Sequence, residues 1–482
     1  MKGLNYKFIK LLIIGLLLAL ALAACSNDTP TSAPTTTTAT ITNTSAPVIT
    51  ATTSAVTAAT ATTAAVTPTV SVVDATLKTD LVIWADVPIG SEQFLRDQIT
   101  RFGKMYPGVK VNLSIMAGDE LLYQAESWAD AGKAPDLIIA PADYVTDLNN
   151  LTLLQPADKV LDRNQLDSFV TNALEGSKNN GTQWGVPFNY GGAVVLLYNK
   201  KLVEKAPATL DEMVKKASAI NEANNPSDPK KERVVGISVD VNEPYWFNAW
   251  VAGFGGSLMD SNNQPTLDSP AVVNALKFIH DLVYKDKLAN PNFEPTMNQI
   301  EYAFRDGQLG MMITGDWAIA DYSSPATSGK ASQVDDSKLE LGVAPLPKND
   351  ATGKLPASYN NGRAYFFGAK ATGDHLKATK LFVEYMAQPQ QQADLMANAH
   401  LMAVTKTVVN SDTVKKDPLW SNWLETLANS KPQPNAQEMR AVWDAVRPNL
   451  QAVVADALKP EDAAKQMQQS ALDKIKLLSA TK

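Results

Sequence analysis

The chain of 482 residues holds one cysteine, Cys25, so its folded part has no internal disulfide. It holds three histidines, His280, His375 and His400, set far apart, each reading as surface or packing rather than as a ligand. No GxxxxGK[ST] loop is present, which excludes a P-loop nucleotide site. There is no GxSxG elbow and no HExxH pair, so the usual hydrolase and metalloprotease signatures are missing. Basic residues do not outnumber acidic ones: 43 stand against 50, a net charge of −7, which supports solubility and argues against nucleic acid as a partner. Aromatic residues make up 7% of the chain, yet four of the ten residues in "VNEPYWFNAW", Val241 to Trp250, are aromatic, with an acid and a proline beside them.

What is present begins with an address. Lys2, Lys7 and Lys10 precede an apolar run, Leu11 to Leu22, too short for a confident membrane span and consistent with a secretory signal. It ends in "LAAC", Leu22 to Cys25, which resembles the lipobox of bacterial lipoproteins. That resemblance implies lipidation of Cys25 and an extracytoplasmic protein anchored to the bacterial cell membrane. Residues 26–73 are almost all Thr, Ala, Ser, Pro and Val, with Asp28 as the only charge. Such a segment has little large apolar surface to bury and reads as an unfolded tether, up to about residue 76, spanning roughly 40 Å by random-coil scaling.

The remaining ~400 residues are too many for one core, so two or more domains are expected. "LVIWA" (Leu81 to Ala85) reads as a buried strand, Ser91 to Phe102 as a helix and "VKVNLSIM" (Val109 to Met116) as a strand. Glu120 to Ala131 reads as a helix and "DLIIA" (Asp136 to Ala140) as a strand. The β-α-β-α-β order predicts an α/β fold on a parallel sheet, with ligand binding beyond the carboxyl ends of its strands. The loops after Trp84 and Ala140 are therefore candidate site walls. A second unit is expected to begin after "GVPFNYGGAVVLLYNK", where Gly191-Gly192 permits a bend. "TLDE" (Thr209 to Glu212) fits a capping box, and Ser269-Pro270 fits an N-cap followed by proline at the first helical position. "VVGIS" and "LGMMITG" read as strands, and the last third as mostly helical.

From about Leu81 onward the chain resembles the extracellular solute-binding proteins of bacterial ABC importers, and among them the maltose/maltodextrin-binding proteins. The resemblance rests on an ordered set: "LVIWA", "APDLIIAPAD" (Ala134 to Asp143), "LLYNK" (Leu196 to Lys200), "NEPYWFNAWVAGFGG", "FRDGQLGMMITGDWA" and "MRAVWDAVR". It implies a two-lobed, Venus-flytrap α/β fold with three hinge crossings and a sugar held in the cleft. The lobes implied are 77–190 with 364–413, and 191–363 with 414–482. It implies a monomer that binds an oligosaccharide and docks on the permease subunits of an importer, with no metal or organic cofactor.

Carried over residue by residue, the resemblance makes Glu243 a carboxylate for sugar hydroxyls and Tyr245, Trp317 and Trp443 rings for sugar faces. Arg447, four residues after Trp443, and Asp143, after the third strand, are further hydroxyl ligands. The chain departs from the pattern elsewhere. Pro88-Ile89 stands where the family example has an Asp-Lys pair. Ala140 stands for a Trp, Tyr144 for an Arg, Gly191 or Gly192 for a Glu, and Asp444 for an aromatic. Tyr190 and Tyr144 are candidates to replace the lost contacts.

Chemistry supports the list. Rigid rings cover the C–H faces of a pyranose at low entropy cost, and charged groups make strong hydrogen bonds to its hydroxyls. Periodicity gives competing readings. Met439, Trp443 and Val446 fit an apolar helical stripe, which makes Trp443 core. Trp317 is balanced between core and site, and Glu243 and Asp143 are ordinarily solvated acids. Trp84, Trp246, Phe247 and Trp250 read as packing. A competing function is a glycoside hydrolase, with Asp143 and Glu243 as its two carboxylates; another is a sugar sensor.

Overall fold

The computed structural model describes residues 76–88, 91–130, 134–224, 233–290, 297–323 and 336–480. The expected signal, Cys25, the tether and Ile89 lie outside the described residues. Among the described residues no helix is long and apolar enough to cross a membrane.

The first part of the chain folds as its periodicity predicts. Strand β1 (Thr79–Ala85), helix α1 (Glu92–Met105), strand β2 (Val109–Ile115), helix α2 (Gly118–Asp130) and strand β3 (Leu137–Pro141) follow in order. Strand β1 pairs in parallel with both β2 and β3. Helix α3 (Val145–Asn150) and the short strands β4 (Leu154–Gln155) and β5 (Gly185–Pro187) come next.

The chain then enters a second sheet through β6 (Val194–Asn199), β7 (Val235–Val239), helix α4 (Pro244–Gly253), helix α5 (Pro270–Tyr284), β8 (Leu309–Gly315) and β9 (Leu341–Ala344). It returns to the first sheet with β10 (Arg363–Gly368). It leaves again for α6 (Pro418–Asn429), α7 (Glu438–Val454) and α8 (Pro460–Ala480). The six-stranded sheet runs β2-β1-β3-β10-β4, with β5 also paired to β10; the four-stranded sheet runs β9-β6-β8-β7. Three passages between two sheet-based lobes give the expected two-lobed architecture.

Strand burial explains why both sheets are covered on two faces. In β6, Val194, Leu196 and Tyr198 face a core with Trp246, Phe247, Trp250 and Val442, while Val195 and Leu197 face the opposite side. That second core is continuous with Leu81, Ile83, Leu137 and Phe367 of the first sheet and with Trp423 of α6. A strand buried on both faces reads as an unbroken apolar run, as "AVVLLY" does. On the remaining face of the first sheet, Trp84 packs with Ile138, Leu121 and Phe366, which makes it core as expected.

Two helix starts differ from expectation. Thr209 accepts from the Glu212 backbone N–H, but Glu212 reaches back to the N–H of Ala208 rather than of Thr209, so the box is only half closed. Ser269 precedes Pro270 as expected, yet its buried hydroxyl finds no partner and makes no cap bond.

Candidate functional site

Helix α4 begins the site. Glu243 is its N-cap, accepting from the Tyr245 N–H at 3.3 Å, and Pro244 fills the first helical position, where no N–H is needed. The Tyr245 ring packs at the margin of the core that holds Trp246, Phe247 and Trp250, 6.0 Å from Trp246. The Tyr245 hydroxyl donates to Gly192 O at 2.5 Å and lies 3.0 Å from Tyr359 O. Burial first, then the charges of Asp143 and Asp316, hold its phenol well above the ordinary range, so it stays a donor.

Three indoles, of Trp246, Trp317 and Trp443, lie around that ring. Trp317 sits in the turn Asp316–Ala318 just after β8, 38% exposed, with its centroid 6.3 Å from Tyr245. Trp443, on α7, lies 6.4 Å from Tyr245 at an interplanar angle of 39°. Tyr359 lies 6.1 Å from Trp443. Trp246 closes the back of the group, 5.9 Å from Trp317 and edge-on at 83°, with its indole N–H donated to Ile313 O. The helical stripe reading of Trp443 is half right: it packs against the core beside Met439 and Val446 but remains partly open.

Gly315 sets the place of Trp317. A Cβ there would lie 2.2 Å from the Trp317 ring, so the indole folds back flat over a backbone that only glycine leaves clear.

The charged groups form pairs. Arg447 stands one turn beyond Trp443 and binds Glu243 with both arms, Nη1 to Oε2 at 2.8 Å and Nη2 to Oε1 at 3.1 Å. The two expected hydroxyl ligands therefore hold each other. Asp143, just past β3, is partly buried and accepts from Gln433 Nε2 at 3.3 Å; Gln433 in turn accepts from Asn361 at 2.9 Å. Burial pushes the Asp143 carboxyl up to about 6. Asp143 and Trp443 both line a cleft of about 720 Å³ whose walls include Thr146 and Asn435 on one side and Asp444 and Lys474 on the other.

The two tyrosines offered as replacements part ways. Tyr144 follows Asp143, and its hydroxyl lies beside Gly118, where an added Cβ would meet it at 2.6 Å and Asp86 Oδ2 at 3.4 Å. Tyr190 does not join the rings. It is 2% exposed, donates to Leu427 O at 2.7 Å and accepts from Asn172 at 2.8 Å, so its hydroxyl is spent on holding α6.

Sequence reasoning missed Asp86, Arg363 and Asp316. Arg363, at the start of β10, donates through Nε to Asp86 O at 2.6 Å and through Nη2 to Asp86 Oδ1 at 3.3 Å. Burial raises the carboxyls of both Asp143 and Asp316, and the charge of Arg363 opposes that rise in each. A signal existed for Asp86, since it follows "LVIWA" at the carboxyl end of a parallel strand, where ligands bind. Asp316 was visible as an acid closing an apolar strand. Nothing in the local sequence marked Arg363.

Among the described residues no cluster of His, Cys, Asp and Glu has the arrangement of a metal site. The arrangement suits a polar ligand with flat apolar faces: rings for the faces, paired charges and a buried acid for its edges.

The chain is similar to known proteins. A maltotriose-binding protein of Pyrococcus abyssi is 26% identical over 383 residues, covering 78% of this chain and 78% of its own. A maltooligosaccharide ABC transporter solute-binding lipoprotein of Streptococcus pneumoniae is 25% identical over 389 residues, 79% of this chain and 85% of its own. The structure of a maltose/maltodextrin-binding domain from Bdellovibrio bacteriovorus bound to maltotriose superposes with a TM-score of 0.70 at 25% identity. It spans 83% of this chain and 100% of that one. Residues 97–422 match the family model described as bacterial extracellular solute-binding protein, and the chain belongs to that family.

Proposed function

We propose that this protein is a lipid-anchored receptor of an ABC importer that captures maltose- or maltodextrin-like oligosaccharides and delivers them to the membrane permease. The observation that carries this reading is the convergence of Tyr245, Trp317 and Trp443 from three separate elements, with 6.3 and 6.4 Å between centroids, beside the Glu243–Arg447 pair. The rings serve the sugar faces and the Glu243–Arg447 pair its hydroxyls, from the four-stranded-sheet side. Asp143 and Tyr144 serve from the six-stranded-sheet side. The relatives named for maltotriose and maltooligosaccharides support the ligand class.

In this reading the lobes are 77–190 with 364–413, and 191–363 with 414–482. Ligand closes them because it binds the closed state better than the open one. The closed monomer docks on the permease, whose ATPase drives import. Cys25 carries the lipid and residues 26–76 form the tether.

Calorimetry with glucose, maltose and maltooligosaccharides tests the reading. Binding of an α-glucan oligosaccharide without release of shorter sugars is expected. Absence of binding across the series removes the ligand class, and product formation replaces the receptor with a hydrolase built on Asp143 and Glu243. Mass spectrometry of the mature protein is expected to find acylated Cys25, and Cys25→Ser to release the protein from membranes. An uncleaved, unmodified N-terminus overturns the anchor.

A further inference from the structure

Asp316 is 2% exposed, although it stands next to the half-open ring of Trp317. Its Oδ1 accepts from the Gly192 N–H at 2.8 Å. Its Oδ2 accepts from the Trp423 indole N–H at 2.9 Å and from the Ala193 N–H at 3.3 Å. Its own N–H donates to Ala193 O at 2.9 Å. One residue therefore clamps the first passage between the sheets on one side and α6 on the other.

The clamp reaches two of the three rings, Tyr245 and Trp317. Gly192, held by its N–H, presents its carbonyl to the Tyr245 hydroxyl. Only glycine fits there: its φ is +86°, and a Cβ would meet Asn361 N at 2.4 Å. In the other direction, Asp316 opens the turn that throws Trp317 back over Gly315. The charged and titratable groups facing Asp316 are Arg363 from β10, Tyr190 from the first passage and Tyr245 from α4.

We propose that Asp316 is the positioning residue of the sugar platform: one carboxylate fixes both the passage that receives the Tyr245 hydroxyl and the turn that presents Trp317. The inference rests on the reading of these rings as a sugar platform. Asp316 itself makes no contact with sugar. It ties ring placement to the hinge, so that the rings take their bound positions only when the passage does. An amide in its place keeps the size but loses an acceptor oxygen, and turns an NH₂ toward N–H donors.

The test is Asp316→Asn in the full globular chain, measured by calorimetry with maltotriose, near-ultraviolet circular dichroism without sugar, and thermal unfolding. The expected result is a folded protein with an altered aromatic dichroism and a sugar affinity lower by roughly tenfold or more. Tyr245→Phe is expected to weaken binding alone but to add little in the Asp316→Asn background, because both changes break the same chain of bonds. Wild-type affinity and dichroism in a folded Asp316→Asn protein, or full additivity of the two changes, overturns the proposal. If Asp316→Asn does not fold, Trp423→Phe removes one donor to the same carboxylate from outside the cleft. A severalfold affinity loss is then expected, and none overturns it. Failure of the wild type to bind any maltooligosaccharide is a failure of the sugar reading; the dichroism comparison still decides whether Asp316 places the rings.

Discussion

The Arg447 guanidinium holds both carboxylate oxygens of Glu243, at 2.8 and 3.1 Å, across 204 residues of sequence. The pair is open to solvent, 51% and 27% exposed in its side chains, so it contributes about 0–1 kcal/mol to folding. In the proposed reading its value is geometric, since a planar fork on a carboxylate fixes both groups for a ligand. Arg447→Lys keeps the charge and loses the fork. We expect unfolding to shift little and sugar affinity to fall roughly tenfold, about 1.4 kcal/mol. Calorimetry and thermal unfolding on the same samples check this; lost stability with intact affinity would make the pair a structural bridge only.

The rings divide by burial. Trp317 is 38% exposed, whereas Trp250 is 1% exposed in the core behind it. Trp317→Ala is expected to cost about 1–4 kcal/mol of sugar binding and little stability. Trp250→Ala is expected to cost roughly 3–5 kcal/mol of stability, with affinity retained in the fraction that folds. Trp443, half-buried between Tyr245 and the core, is expected to lose on both measures when truncated. Equal behaviour of Trp317→Ala and Trp250→Ala would dissolve the distinction between platform and core.

Much of the architecture was legible because its signals are local. A buried strand such as "LVIWA" and the helix after it declare themselves within a dozen residues, and their order implies parallel pairing. The ring motifs were legible only through resemblance, because Trp443 has the same helical spacing whether it faces core or ligand. What local reading could not supply were partners distant in sequence. Arg363 meets Asp86 across 277 residues, and Tyr190 is taken by Leu427 across 237. Tyr190 was an aromatic in a matching motif whose hydroxyl is committed to Leu427 of α6. Glu243 and Arg447 were each expected as separate polar ligands, and their pairing was not foreseen.

Gly315 offers a change that deletes no ring. Its φ of −75° is open to any residue, so backbone strain plays no part. An added Cβ would meet the Trp317 indole at 2.2 Å, and that indole must then leave its seat. Gly315→Ala is expected to weaken sugar binding about as much as Trp317→Ala, roughly 1–4 kcal/mol, while raising solvent quenching of tryptophan fluorescence. Wild-type affinity in Gly315→Ala would mean that the Trp317 ring is not held by this contact, or not used.

The buried acid of the clamp leaves a mark on stability against pH. Burial raises the Asp316 carboxyl to about 6, opposed by the hydrogen bonds from Trp423, Gly192 and Ala193 and by the charge of Arg363. In the unfolded chain the same group titrates near ~3.9. Between about pH 7 and pH 4 the folded protein therefore carries a proton that the unfolded chain lacks. Asp316 makes folding more favourable as pH falls through that window, by up to about 3 kcal/mol, and the gain is absent above the folded value. Other groups titrate in the same range, Asp143 among them, so the whole-protein curve does not isolate this one. The difference between wild type and Asp316→Asn does, because only one of them carries the acid. Denaturant unfolding of both at pH 7.5, 6.5, 5.5 and 4.5, four settings spaced about one unit apart across the window, is expected to show the wild type gaining on the variant at each step down. A constant difference would mean that Asp316 titrates alike in the folded and unfolded states. A difference that moves the other way would mean that its three N–H donors outweigh its burial and hold the clamp ionised.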